Sequence, residues 1–66
     1  MTIILNGEDR EEAPGITVLA LLESLGVAPA RVAVELNGDV LRRVDFGRRI
    51  LRGGDRVELV QFVGGG

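Results

Sequence analysis

Residues 56–66 read RVELVQFVGGG, an apolar run that ends in three glycines. Its first eight residues predict a β-strand, because alternation puts Val57 and Leu59 on one side and Val60 and Phe62 on the other. We expect this strand to lie at the centre of a sheet, parallel to the N-terminal strand. These two strands are the most apolar runs of the sequence, and a helical crossover between them permits parallel pairing.

The N-terminal segment predicts a β-hairpin. Residues 2–5 (TIIL) form a short apolar run, and residues 6–7 (Asn-Gly) form a turn pair that tolerates positive φ at both positions. The second strand, residues 8–13, is highly charged, which suits an edge strand that must not pair with another molecule. Residues 14–15 (Pro-Gly) end the hairpin.

The next segment predicts one short amphipathic helix. Thr17 can cap its N-terminus, and Gly26 stands where a left-handed residue ends a helix. The apolar stripe at positions i, i+3, i+4 and i+7 consists of Val18, Leu21, Leu22 and Leu25. Such a stripe packs on one face of a sheet.

The remaining segments predict further strands. Residues 32–36 (VAVEL) alternate like a half-buried strand, with Val32, Val34 and Leu36 on one side, and an Asn-Gly turn follows. Residues 39–51 predict short strands at Val40-Leu41 and Ile50-Leu51 around an irregular segment or single turn that contains Phe46. A tight turn, Gly53-Gly54-Asp55, precedes the last strand.

The order of these elements predicts an α+β domain of the β-grasp type, a mixed sheet with one main helix packed on one face. We expect the domain to occupy residues 1–63 and residues 64–66 to form a flexible Gly-Gly-Gly tail. No internal repeat or linker interrupts the chain.

The composition argues against an enzyme that acts alone. The 66 residues contain no cysteine, no histidine and no lysine, since all eight positive charges are arginine. The chain therefore lacks the commonest general base, the soft metal ligands and the best side-chain nucleophile. We expect no metal and no cofactor bound by the chain itself. The absence of a long apolar segment or a signal-peptide pattern predicts a soluble cytoplasmic protein without membrane contact.

Charge is unevenly distributed along the chain. Residues 1–41 hold seven acids and two arginines, net −5, whereas residues 42–66 hold six arginines and three acids, net +3. A solvated loop is the simplest interpretation of the arginines at 42–52. The alternative places them beside the last strand, where they would steer the protein to an acidic partner. Nucleic acid is not expected, because the net charge is negative and stacking aromatics are scarce.

The last strand carries a candidate partner-binding surface. If one of its faces meets the helix, Val60 and Phe62 lie on the uncovered face, next to Val63 and the glycines. We expect Val60, Phe62 and Val63 to dock a partner. In the alternative register, Phe62 wraps over a sheet edge and packs internally.

The three terminal glycines provide the candidate reactive group. A glycine tail is thin enough to enter a narrow channel, and the carboxylate of Gly66 becomes reactive when it is activated as an acyl-adenylate. Gly64 and Gly65 would form the arm that presents it. The alternative is a frayed chain end without a function.

Several stretches, in this order, resemble the ThiS family, the ubiquitin-like sulfur carriers of thiamine biosynthesis. They are IILNG at 3–7, the helix signature Thr17-Val18, Leu21-Leu22 and Leu25-Gly26, VAVELNG at 32–38, GDRVELV at 54–60 and GGG at 64–66.

The resemblance implies a ubiquitin-like β-grasp fold and a role for Gly66. An E1-like enzyme using ATP and magnesium would adenylate its carboxylate. With a sulfur donor protein, a thiocarboxylate would form and deliver its sulfur to thiazole synthase. ATP would be bound by the adenylating partner and not by this chain. Three alternatives remain open: the small subunit of molybdopterin synthase, a noncovalent β-grasp module with an inert tail, and a protein modifier joined to lysines.

Overall fold

A computed structural model describes residues 1–62 of the chain. Residues 63–66, which include the last residue of the predicted final strand and the glycine tail, lie outside the described residues. The described part contains five strands and one α-helix: β1 (Thr2–Leu5), β2 (Glu8–Glu11), α1 (Val18–Ser24), β3 (Val32–Leu36), β4 (Asp39–Leu41) and β5 (Arg56–Gln61). Single 3₁₀ turns occupy Pro29–Arg31 and Arg43–Asp45.

The five strands form one mixed sheet in the order β2-β1-β5-β3-β4. β1 and β5 are parallel neighbours, and every other pair is antiparallel. The predicted central position of the last strand, parallel to the first, is therefore confirmed. The helix connection between the β1–β2 hairpin and the β3–β5 half of the sheet makes this parallel pairing possible.

The N-terminal hairpin forms as predicted, with φ of 48° at Asn6 and 83° at Gly7. β2 pairs only with β1, so the charged strand is an edge strand. It ends at Glu11 and not at Ala13, although the Glu12 amide still donates to the Met1 carbonyl at 2.9 Å. Pro14 has no amide hydrogen to continue the ladder.

Helix α1 has the predicted N-terminus, because the Thr17 hydroxyl accepts a hydrogen bond from the Ala20 amide at 3.1 Å. Gly26, directly after the C-cap residue, has φ of 73°, as a left-handed helix end requires. The stripe residues Val18, Leu21 and Leu22 are fully buried. The helix thus packs its apolar side onto the sheet.

The core lies between α1 and the sheet face that it covers. Its ten buried residues are Ile3, Val18, Leu21, Leu22, Val32, Val34, Leu36, Phe46, Leu51 and Val57. All three predicted inward residues of β3 are among them. Each such side chain stabilises the fold by about 1.5–3 kcal/mol relative to full exposure. The core is nevertheless small, so loss of one member is a large fraction of total stability.

The prediction for residues 39–51 is confirmed in part. β4 covers the predicted Val40-Leu41 strand, and Phe46 follows a single 3₁₀ turn as expected. The predicted strand at Ile50-Leu51 is wrong, since Ile50 makes only an isolated bridge to Thr17. The segment instead supplies hydrogen-bond acceptors to the first turn of α1, where the amides have no acceptor within the helix.

Two hydrogen bonds show this role. The Val18 amide donates to the Arg49 carbonyl at 3.0 Å, and the Leu19 amide donates to the Phe46 carbonyl at 2.9 Å. Local sequence patterns around residues 46–49 do not show that their carbonyls are needed as acceptors, because the amides that need them belong to a helix elsewhere in the chain.

No helix within residues 1–62 has the length and apolar character needed to cross a membrane.

Candidate functional site

No other element of residues 1–62 covers the sheet face opposite α1, and we call this face the open face. Strand alternation places Val57 toward the helix, where it is fully buried, and Val60 and Phe62 on the open face. Val60 is 58% exposed and Phe62 is 60% exposed. The predicted orientation of β5 is therefore confirmed, and the alternative in which Phe62 packs internally is wrong.

Phe62 is held on the open face by its backbone. Its amide donates to the Arg31 carbonyl at 2.8 Å, one residue beyond the end of β5. This bond continues the β3–β5 ladder, so Phe62 keeps strand geometry and its ring points away from the helix. A large aromatic ring exposed to this degree is a feature of protein-binding surfaces.

Acidic residues border the exposed apolar residues on the open face. Residues paired directly across an antiparallel ladder project to the same side. Glu58 is opposite Glu35, which is in turn opposite Val40, and Val60 is opposite Ala33. Neither glutamate belongs to an ion pair found within residues 1–62. Two like charges directly opposite each other are unfavourable unless a cation approaches them.

The arginines of the second half do not form one row beside β5. Only Arg56 lies in that strand, while Arg48 and Arg49 lie in the segment that contacts the start of α1. Arg42 forms an exposed ion pair with Asp45 at 3.4 Å. The arginines at 42–52 are all exposed, as a solvated loop predicts.

The start and the middle of β5 are held by an asparagine of the first turn. The Asn6 amide donates to the Val57 carbonyl at 2.9 Å, and its side-chain oxygen accepts from the Leu59 amide at 2.8 Å. Sequence reasoning identified Asn6 only as a turn residue. The second role has no signal in a single sequence, because it depends on how β1 and β5 pair.

A small notch opens beside this contact. Its walls come from the ends of β1, α1 and β5, and its lining residues are Leu5, Asn6, Leu25, Val27, Leu59 and Gln61. Four of the six are apolar and partly buried against the core. The notch therefore has an apolar floor and a polar rim, directly before the chain leaves the sheet.

The folded body shows little reactive chemistry of its own. Within residues 1–62, no three acidic side chains come close enough to hold a metal ion, and no buried side-chain polar atom lacks a hydrogen-bond partner. A hydrogen bond from the Thr2 hydroxyl lowers the pKa of Glu11, but Glu11 lies on the edge strand β2, away from the end of β5.

The remaining predicted site residues, Val63, Gly64, Gly65 and Gly66, lie outside the described residues. The structure therefore locates Val60 and Phe62 together on the open face. Phe62 is also the last described residue, and Val63 separates it in sequence from the predicted tail at 64–66.

Comparison with known proteins relates this chain to one family along nearly its full length. The model of the ThiS family matches residues 3–66. A thiazole synthase from Magnetococcus marinus is 46% identical over 66 residues, which are 100% of this chain and 20% of that protein. The sulfur carrier protein ThiS of Escherichia coli is 33% identical over 66 residues, covering 100% of both chains.

A solved structure is also similar. The crystal structure of the thiamine biosynthesis protein ThiS from Geobacter metallireducens is 42% identical and covers 100% of both chains, with a TM-score of 0.84. By contrast, the chain spans only about a fifth of the length of the thiazole synthases that it matches.

Proposed function

Because the chain belongs to the ThiS family, we propose that it is a sulfur carrier protein for thiazole formation in thiamine biosynthesis. The observation that carries this proposal is the family match over residues 3–66, which includes both the folded body and the three glycines. The fold agrees with it, since the Geobacter metallireducens ThiS structure has the same mixed sheet and helix over the full length.

The proposed chemistry takes place at the terminal carboxylate of Gly66. An E1-like enzyme would transfer the adenylyl group of ATP to one carboxylate oxygen and release pyrophosphate. A sulfide equivalent from a donor protein would then displace AMP at the carbonyl carbon, and a thiocarboxylate would remain. ATP and magnesium would be bound by the adenylating enzyme, because this chain has no glycine loop followed by Lys and Ser/Thr for phosphates.

The glycines suit this task for a steric reason. Residues 64–66 have no Cβ, so an arm of this composition can pass through a channel that excludes other side chains. We propose that Gly64 and Gly65 carry Gly66 into two successive active sites while the folded body stays outside.

Thiazole synthase is the proposed sulfur acceptor. A segment similar to this whole chain makes up a fifth of the thiazole synthase of Magnetococcus marinus, which supports a functional link between the two activities. The chain itself would be a protein co-substrate and not an enzyme. The cytoplasm stays the expected compartment, because the proposed adenylation consumes ATP.

We propose the open face as the surface that both enzymes recognise. Val60 and Phe62 are exposed apolar side chains at the end of the strand that leads to the tail. An enzyme that holds Gly66 in its active site must lie close to them. Val63, the next residue, would belong to the same contact.

Intact mass spectrometry tests the proposed function. The chain is incubated with the adenylating enzyme of the same organism, ATP, magnesium and a sulfur donor. The expected result is a mass gain that corresponds to replacement of one oxygen by sulfur. The matched control lacks residues 64–66 and should show no gain, because its terminal carboxylate belongs to Val63 and has no glycine arm. No gain in the full chain would contradict the proposal, and conjugates with lysines of other proteins would support a protein modifier instead.

A second assay separates the possible acceptors. The loaded carrier is mixed with thiazole synthase and its substrates, and loss of sulfur from the carrier is followed together with thiazole product. Nothing in the comparisons favours the small subunit of molybdopterin synthase. Sulfur transfer only to molybdopterin precursors would nevertheless replace the thiamine assignment.

A further inference from the structure

The central strand β5 is longer than its neighbour β1. β1 pairs with β5 only at Ile4 with Arg56 and at Leu5 with Val57. On its other side, β5 pairs with β3 as far as Gln61. Among the strands of residues 1–62, the tail-proximal half of β5 therefore has a neighbour on one side only.

The backbone groups on the free side can be identified from the bonds already made. The Arg56 carbonyl and the Phe62 amide bond to residues of the β3 side, so even-numbered residues of β5 direct their backbone groups there. Odd-numbered residues direct theirs to the β1 side, as the Val57 carbonyl shows by accepting from Asn6. By this alternation the Leu59 carbonyl and the Gln61 amide face the space beyond the end of β1.

Asn6 fills only the part of that space that is nearest to the end of β1. Its side-chain oxygen binds the Leu59 amide, and no hydrogen bond to the Leu59 carbonyl or the Gln61 amide is found in the described part of the chain. Open backbone donors and acceptors on a strand are a template for another extended chain. Here the Leu59 carbonyl is the acceptor and the Gln61 amide is the donor. They match one backbone amide and one backbone carbonyl of a single added segment.

The notch lies beside these two groups. Its apolar lining of Leu5, Leu25, Val27 and Leu59 is on the helix side of the sheet, while Val60 is on the open face. An added strand would direct alternate side chains to these two sides. One apolar side chain would thus fill the notch, and its neighbour would lie next to Val60.

We propose that this notch binds an extended segment of the adenylating enzyme, which continues the sheet in line with β1. The inference rests on the proposed carrier function, because the partner is the enzyme that would bind Gly66. Gly66 is the fifth residue after Gln61, and five residue-to-residue steps span at most about 17 Å. An enzyme that holds Gly66 therefore has part of its surface within that distance of the notch.

Two substitutions at Gln61 isolate the backbone contact. Gln61→Pro removes the amide that faces the notch, and proline is tolerated in a strand where its missing donor is not needed. Gln61→Ala removes the side chain and keeps the amide. We expect the adenylating enzyme to bind Gln61→Pro about tenfold more weakly than Gln61→Ala, because both variants lack the side chain and only Gln61→Pro leaves one acceptor of the partner unpaired.

A second measurement does not depend on any substitution. Amide hydrogen exchange of the unmodified chain is recorded by NMR, alone and with an excess of the adenylating enzyme. The Gln61 amide should exchange at least about tenfold more slowly in the complex, since a hydrogen-bonded amide is protected. If Gln61→Pro fails to fold, this measurement decides the question.

The outcomes separate this inference from the proposed function. If the chain is loaded with sulfur, while Gln61 stays unprotected and Gln61→Pro binds normally, the notch proposal is wrong and the carrier function stands. If the chain is never loaded, the carrier function fails, and the notch proposal fails with it. Protection of Gln61 in the isolated chain that grows with its concentration would assign the notch to a second copy and overturn the proposal.

Discussion

Two asparagines hold the central strand from opposite sides. The Asn6 side-chain oxygen accepts from the Leu59 amide at 2.8 Å, and the Asn37 side-chain oxygen accepts from the Arg56 amide at 2.9 Å. Both residues belong to Asn-Gly turns and have positive φ, 48° and 53°. Each asparagine thus forms a turn and also satisfies a backbone donor of β5 that has no strand partner at that point.

This double role predicts the effect of Asn6→Gly. Glycine keeps the positive φ without strain, so the substitution removes mainly the hydrogen bond to Leu59. We expect a loss of about 1 kcal/mol in the free energy of unfolding. Urea denaturation measures it. Asn6→Ala should lose more, because alanine adds strain at this φ, and equal stability of Asn6→Gly and the unmodified chain would disprove the role of the side chain.

We expect the proposed docking surface to depend most on Phe62. Because its ring is exposed, Phe62→Arg should leave the unfolding transition nearly unchanged and reduce binding of the adenylating enzyme at least about tenfold. Val44→Arg is the matched control, since Val44 is also exposed but lies in the turn after β4. Calorimetric titration compares the two. Equal loss in both variants would indicate a nonspecific charge effect and not a docking site.

At the scale of elements, the segment between β4 and β5 supports the helix more than the sheet. The carbonyls of Phe46 and Arg49 accept from the first amides of α1, and the Thr17 hydroxyl accepts from the Ala20 amide. In return, the Leu51 amide donates to the Ile16 carbonyl at 2.8 Å. A helix of seven residues is too short to be stable alone, so these contacts and its buried stripe hold it in place.

The helix cap provides a prediction at this scale. Thr17→Ala removes the oxygen that accepts from Ala20 and should lower the free energy of unfolding by about 1 kcal/mol. Thr17→Ser keeps a capping oxygen and should retain most of the stability. Thermal unfolding followed by circular dichroism compares them. If both variants lose the same stability, the threonine methyl group and not the cap is responsible.

At the scale of the whole molecule, the two sheet faces differ: one is packed, and the other is the proposed recognition surface. One face packs against α1 and supplies the core, while the other remains open and carries Val60 and Phe62. A domain of this size has only a few kcal/mol of stability to lose. Tests of function therefore belong on the open face and at the chain end, where a substitution does not disturb the core.

The chain end itself gives the prediction at the scale of the whole molecule. One alanine added after Gly66 replaces its carboxylate by an amide bond, which an adenylating enzyme cannot activate at that carbon. Sulfur loading should fall below detection in intact mass spectra, and binding through the open face should persist. Thiazole formation by the extended chain, without removal of the added alanine, would show that Gly66 is not the reactive residue.

Much of the architecture could be predicted because it depends on local rules. The Asn-Gly turns, the cap at Thr17 and the left-handed Gly26 are each specified by one or two residues. Alternation in β5 also indicated that Val60 and Phe62 share a face, and the structure confirms it. The assignment of Gly64, Gly65 and Gly66 to the carrier tail stays a prediction.

The sequence by itself determined which residues prefer strand, turn or helix, because steric preference and periodicity act over a few neighbouring residues. Only the tertiary structure decided that residues 46–51 form hydrogen bonds with the start of α1. It also decided that β1 pairs only with the first residues of β5 and ends beside the Asn6 contact and the notch. Those features depend on hydrogen-bonding groups left open at the ends of distant elements. Such groups find their partners only after the chain has folded.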